Sequence, residues 1–263
     1  VNNTYRENYD HLISSGLYDE LVRSKLLIPH EEVNIKAPEA EKSYKVIKPE
    51  PILFISYPYE WCFSQLKDAA LTTLKIQKMA MDFGMTLKDC SAYNIQFKDG
   101  KAILIDTLSF EKYIEGQSWV AYRQACQHFL APLALMSYKD VRLSQLFRIY
   151  IDGVPLDLAS LLLPVSTRFN ASLLSHIHLH ARSQKHFADK KIKIDSHKMS
   201  RFAFLSLIDN LESIIRKMKW RAAGTEWADY YKDINYSAEA FENKKEIVSS
   251  MLEETDTNIL WDL

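Results

Sequence analysis

The sequence predicts an α+β chain, and three observations carry that expectation. Strand-like runs cluster before residue 106, whereas nearly everything after Ser118 has helical spacing. Only six glycines occur in 263 residues, too few for a turn-rich β-sandwich. Hydrophobic residues make up 47% and charged residues 25%, the balance of a chain that buries one large core or two small ones.

In chain order, residues 5–28 read as two short helices. Tyr9, Leu12 and Ile13 line one face, Leu17, Leu21, Leu26 and Leu27 the next, and Gly16 breaks them. SYKVIKP (43–49) and PILFISY (51–57) are rich in β-branched and aromatic residues and predict strands, with Pro49 and Pro51 marking a turn. A long helix follows over 65–83. Ser64 is its expected cap, Leu66, Ala70, Leu74 and Met81 its apolar side, and Gly84 its C′ residue. YNIQFKDGKAILIDT then predicts a hairpin, with strands 94–97 and 102–105 and a turn at Lys98-Asp99-Gly100. Helices are expected over 119–138, 141–151, 157–163, 170–189, 198–222 and 237–254, with Asn170 capping the fourth.

The formal net charge is −1, so no global field favours nucleic acid or an anionic membrane. Three cysteines, Cys62, Cys90 and Cys126, give an odd number with no C-x-x-C pair, which points to a reducing cytoplasm. The longest apolar run, LDLASLLLPV, is short of a membrane span. The chain begins without methionine and ends at NILWDL, a strand-like run with no turn behind it. It therefore reads as an internal piece of a longer protein.

Chemistry concentrates in LKDCSAYNIQFKDGKAILIDT (87–107). A loop leaving the long helix presents Asp89, Asn94 starts a strand five residues on, and the hairpin returns the chain to Asp106. Hairpin pairing brings Asp106 back beside Asn94. Three oxygen-bearing side chains are thus expected at one end of a small ribbon. Carboxylate and amide oxygens suit a hard cation such as Mg²⁺. A neighbouring free carboxylate can orient an attacking hydroxyl or take its proton.

This arrangement resembles the catalytic segment of protein-kinase-like phosphotransferases, including the aminoglycoside and choline kinase branch. The resemblance implies a kinase-like fold, mostly its helical C-lobe with a small, truncated β-containing N-lobe. It makes Asp89 the catalytic residue and Asn94 and Asp106 metal ligands for Mg²⁺ and ATP. In the hinge-like run FISYPYEW it makes Ser56 and Tyr57 nucleotide-contacting residues.

SYPYEWCFSQLKDAALTTLKIQ, LKDCSAYNIQF, IDTLSFEKY and WVAYRQACQHFLAPLAL narrow the match. Together they resemble a bacterial family, nodulation-type, in which this region precedes a class I methyltransferase domain that uses S-adenosylmethionine. ILWDL resembles the first strand of that domain. Residues 1–57 are then a partial N-lobe and hinge, 58–236 the helical C-lobe, and 237–263 a linker helix plus that strand.

The sequence also has no glycine-rich phosphate loop, Leu87-Lys88 stands where the kinases carry His-Arg or His-Gly, and Lys45 and Lys48 lie close to the hinge. Three functions stay open: phosphotransfer from Mg-ATP to a small-molecule hydroxyl, an inactive module that binds substrate or partner for the methyltransferase, or a purely structural helical domain that fixes dimerisation or domain orientation. Nucleic acid and membrane are not expected partners. HIHLHARSQKH places His176 and His180 at helical spacing but brings no third ligand, so packed or hydrogen-bonded histidines are expected. RKMKWR (216–221) reads as a solvated helix end.

Overall fold

The computed structural model describes residues 1–182, 199–220 and 236–255. The chain divides into two units, Val1–Trp220 and Arg221–Leu263.

In the first unit, α1 (Arg6–Ser14) and α2 (Leu17–Arg23) separate at Gly16, whose φ of 85° is left-handed and cheap only for glycine. β1 (His30–Glu32) pairs antiparallel with β2 (Ile47–Pro49), Glu31 opposite Lys48. α3 (Phe63–Asp82) buries Leu66, Ala70, Leu74 and Met81, the side its spacing assigns. Its cap differs from expectation: Cys62 holds the N-cap position, and its N–H donates to Gln65 Oε1 at 3.0 Å. Gly84, with φ 70°, ends the helix as its position predicts.

β3 (Met85–Leu87) follows α3 directly and pairs with β6 (Phe110–Lys112), Leu87 opposite Phe110. Between them lies the hairpin of β4 (Ile95–Lys98) and β5 (Lys101–Leu104). Its turn residues Asp99 and Gly100 have φ of 51° and 71°, the left-handed pair that a two-residue hairpin turn needs. The described sheet structure is thus three two-stranded ribbons, all between residues 30 and 112.

The strand expected over 51–57 does not form. Leu53 is wholly exposed and Phe54 largely so. No neighbouring strand offers this run a ladder, and a side chain takes that place at Ser56, as shown below.

After Trp119 the fold is helical. α4 (Tyr122–Ala125), a π turn (Cys126–Leu130) and α5 (Ala131–Tyr138) make one buried rod. Val141–Arg148 is 3₁₀ rather than α, with Asp140 Oδ1 accepting from Arg142 N–H. α6 (Leu156–Leu162) precedes α7 (Ala171–Leu173), which widens into a second π turn (Leu174–Leu179). Asn170 caps α7 as expected, its Oδ1 accepting from Ser172 and Leu173, each at 3.1 Å. α8 (Arg201–Lys217) follows. Expected helix residues 183–189, the segment 226–235 and ILWDL lie outside the described residues.

One core serves the unit. Leu12, Leu21 and Leu27 join Leu66, Leu74, Phe129, Leu133 and Phe204, so residues 1–57 share the apolar interior of the helical body. Each such fully buried leucine contributes about 1.5–3 kcal/mol. The second unit contains α9 (Ala238–Glu253), capped by Ser237 Oγ accepting from Ala240 N–H at 3.1 Å. No helix among the described residues is long and apolar enough to cross a membrane.

Candidate functional site

Ser109 joins Asn94 and Asp106 through its side chain and reaches Lys88, the neighbour of Asp89, through its main chain. β3 and β6 put Lys88 beside Ser109, and Lys88 N–H donates to Ser109 C=O at 2.8 Å. The Ser109 hydroxyl donates to Asp106 Oδ2 at 2.6 Å and accepts from Asn94 Nδ2 at 3.3 Å. Ile105 N–H donates to Asn94 C=O at 2.8 Å, which continues the β4–β5 ladder to the residue before Asp106. The open end of the hairpin is thereby tied to the end of β3, where Asp89 begins.

Local turns fix each residue. Asp89 Oδ1 accepts from Ser91 N–H at 2.9 Å, and Asp106 Oδ1 from Leu108 N–H at 2.9 Å, two Asx turns. Ser91 Oγ accepts from Tyr93 N–H and caps the short 3₁₀ turn Ala92–Asn94. The helical body then clamps the loop. Gln124 of α4 donates through Nε2 to Asp89 Oδ1 at 2.8 Å and accepts Cys90 N–H at 2.6 Å. Trp119 Nε1 donates to Leu87 C=O, and buried Gln77 of α3 accepts Leu87 N–H at 2.7 Å while bonding Thr86 Oγ1.

His128 of the first π turn supports the loop from below. Its Nδ1 accepts Ala92 N–H at 3.2 Å, so the neutral ring carries its proton on Nε2. Burial pushes its pKa down to about 4, although the Asp89 carboxylate pulls the other way. Tyr5 donates its hydroxyl to Phe110 C=O, the β6 residue after Ser109. Its phenol is held protonated first by burial and then by the charge of Asp106. Lys88 Nζ lies 4.3 Å over the Tyr5 ring, so a cation shares the neighbourhood of the carboxylates.

The donor set is rich in oxygen. Asn94 spends its Nδ2 on Ser109 and leaves its Oδ1 out of that bond. Each carboxylate oxygen has two lone pairs, so Asp89 and Asp106 keep acceptor capacity beyond their turn bonds. Two carboxylates and an amide suit Mg²⁺ completed by water and phosphate oxygens. Among the described residues no three His, Cys, Asp or Glu side chains gather as a metal cluster, so any cation site here depends on the amide.

A polar chain reaches the same loop from the β1–β2 ribbon. Lys45 donates to Glu32, whose other oxygen accepts the Tyr9 hydroxyl at 3.1 Å; Tyr9 also bonds His30 Nε2 at 2.9 Å. His30 Nδ1 lies 3.4 Å from the Thr107 hydroxyl, next to Asp106. Lys45 holds the Glu32 carboxyl below its ordinary range, and burial keeps the His30 ring neutral against the pull of Glu32.

Ser56 and Tyr57 lie along the exposed run before α3. Buried Gln96 of β4 occupies the main chain of Ser56: Gln96 Oε1 accepts Ser56 N–H at 3.0 Å and Nε2 donates to Ser56 C=O at 2.9 Å. Trp61 Nε1 donates to Ser56 Oγ. Tyr57 N–H donates to Glu60 Oε2 at 2.7 Å, and Tyr57 C=O accepts Glu60 N–H. The Tyr57 ring stacks on Tyr59 at 5.5 Å.

In the histidine-rich run, His176 and His178 are buried. His176 bonds Tyr122 and Asn210, and His178 bonds Ser160 and Thr167. Burial lowers the pKa of both rings. The participants that sequence reading missed are Ser109, Gln124, His128 and Lys88. Ser109 and Lys88 had local signals, three residues after Asp106 and next to Asp89; Gln124 and His128 arrive by tertiary packing.

Fold and site thus define an α+β chain in which a serine ties an asparagine to an aspartate at the open end of a hairpin, with a second aspartate held on the loop that leads into it. The chain is similar to Nodulation protein NoeA of Rhizobium meliloti (strain 1021), with 34% identity over 218 residues. The match covers 80% of this chain and 45% of that protein, so the chain spans less than half the length of this relative. No family model matches the chain. No solved structure matches it.

Proposed function

We propose that the chain is a kinase-like, aminoglycoside-phosphotransferase-like domain of a longer protein that carries a methyltransferase domain using S-adenosylmethionine. Its chemistry is phosphotransfer from Mg-ATP to the hydroxyl of a small molecule. The observation that carries this reading is the Ser109 bridge, which fixes Asn94 and Asp106 against each other while Gln124 holds Asp89 on the preceding loop. Asn94 and Asp106 would hold Mg²⁺ on the nucleotide phosphates, and the cation supplies charge neutralisation. Asp89, held through Oδ1 by Gln124 and Ser91, would orient the acceptor hydroxyl and take its proton. Rate would come from positioning and charge, with no covalent intermediate on the protein.

A second reading is a binding module that serves the methyltransferase without phosphotransfer. Gln96 favours it, because the Ser56 amide and carbonyl that could read an adenine edge are already bonded to a side chain. Under either reading, three free cysteines, two of them buried, support a reducing compartment such as the cytoplasm.

Thermal unfolding with Mg²⁺ and a non-hydrolysable ATP analogue separates the readings. The first predicts a rise in Tm that needs both additives and is lost in Asp106→Asn. No rise at saturating analogue favours the binding module.

A further inference from the structure

A second polar feature lies at the other, turn end of the β4–β5 hairpin. A groove of about 610 Å³ runs between the end of α2, the outer face of α3, the hairpin turn and the last turns of α8. Lys25, Lys75, Lys78, Lys101 and Arg216 line it, against only two carboxylates, Asp68 and Glu212. Glu212 is already spent, since it bonds both Lys78 and Arg216, and Lys78 also reaches Asp209. Lys25, Lys75 and Lys101 are left without an anionic partner among the described residues, and all three are exposed.

Cations near helix C-termini often serve only the helix dipole. Arg216 and Lys25 sit at such ends. Lys75 lies in the middle of α3 and Lys101 on β5, so neither has that role. Their spacing around a concave floor that includes Gly100 leaves room for a ligand that bridges them. Beside the groove, a smaller pocket of about 260 Å³ shares Lys25 and Lys101; Val22, Leu27, Pro29 and Ile103 give it an apolar side, and Asp99 and the Lys98–Glu50 ion pair line the rest.

We propose that this groove binds an oligophosphate group, with Lys25, Lys75 and Lys101 as its ligands and the adjoining pocket taking an apolar portion of the same small molecule. Ammonium groups on flexible stems are point-charge partners for phosphate oxygens. The site is separate from the Asp89–Asp106 cluster, because the four-residue strands hold the two ends of the hairpin about 13 Å apart. It stands whether or not the chain transfers phosphate.

The test is calorimetric titration of the protein with inorganic tripolyphosphate at low salt, without Mg²⁺. Binding is expected, weakening steeply as salt rises. The Lys75→Gln, Lys101→Gln double variant should lose about tenfold or more in affinity. Lys36→Gln with Lys139→Gln, on other surfaces, should lose nothing, and Asp106→Asn should bind as the parent does. Tighter binding of a nucleoside or lipid oligophosphate than of tripolyphosphate would assign the apolar pocket. No binding by the parent, or equal loss in both lysine pairs, overturns the proposal. Loss confined to Asp106→Asn moves the ligand to the other end of the hairpin and equally overturns it.

Discussion

Ser109 donates its hydroxyl to Asp106 Oδ2 across 2.6 Å, and Ser109 Oγ in turn accepts from Asn94 Nδ2. One side chain thereby sets the separation of the two proposed cation ligands. Ser109→Ala should cost about 1–2 kcal/mol of stability, since Ser109 is fully buried and Asp106 loses a bonded donor. It should weaken Mg-dependent nucleotide binding more than Ser109→Thr does. Denaturant unfolding and a nucleotide titration on the three proteins check both effects.

His128 predicts an acid-sensitive loop. Its folded pKa of about 4 lies below the ordinary 6.5, so the unfolded chain takes the proton first. Stability from this ring is complete above pH 6.5 and is lost as pH falls from there through about 4. The full loss is roughly 3 kcal/mol from this group. Ring signals of His128 followed by NMR should stay neutral at pH 5.5, and His128→Gln should flatten the pH profile of stability. A ring that titrates near 6.5 contradicts the buried Ala92 contact.

Gly153 predicts a steric lesion behind the same loop. Its φ is 95°, and an added Cβ would lie 2.7 Å from Gln127 Cβ and 2.9 Å from His128 Cδ2. Gly153→Ala should therefore destabilise by about 2 kcal/mol or more, measured by urea midpoint. Gly100→Ala, where an added Cβ meets nothing within 4 Å, should cost only the left-handed strain and so less.

Thiol chemistry should be confined to one site. Cys62 is exposed, whereas Cys90 and Cys126 are buried. Burial raises the Cys90 thiol well above its usual range, with Asp89 adding to it, and pushes Cys126 up to about 12. An alkylating reagent should modify a single cysteine in the native protein and all three after denaturation. Rapid native modification of Cys90 would show that the Asp89 loop opens.

What could be read from the sequence was local. The α3 face followed from apolar spacing, the hairpin from Asp99-Gly100, and the α1–α2 break from Gly16. The run 51–57 has strand composition but no partner strand, and composition cannot supply one; the pairing falls instead to the side chain of Gln96. β3 and β6 are three residues each and pair across more than twenty positions, below any periodic signal. The two π turns look α-helical in sequence, because a widened turn leaves no mark in apolar spacing. Asp89, Asn94 and Asp106 stood out by type and spacing, whereas Gln124 and His128 act on them from over thirty residues away.

The proposed cation site at Asn94 and Asp106 is tested most directly with Mn²⁺ as a spectroscopic stand-in. Electron paramagnetic resonance of Mn²⁺ titrated with the protein and ATP should show bound metal in the parent. That binding should be lost in Asp106→Asn and in Asn94→Ala, with Asp89→Asn retaining most of it. Equal Mn²⁺ binding in parent, Asp106→Asn and Asn94→Ala would contradict a cation site at the open end of the hairpin.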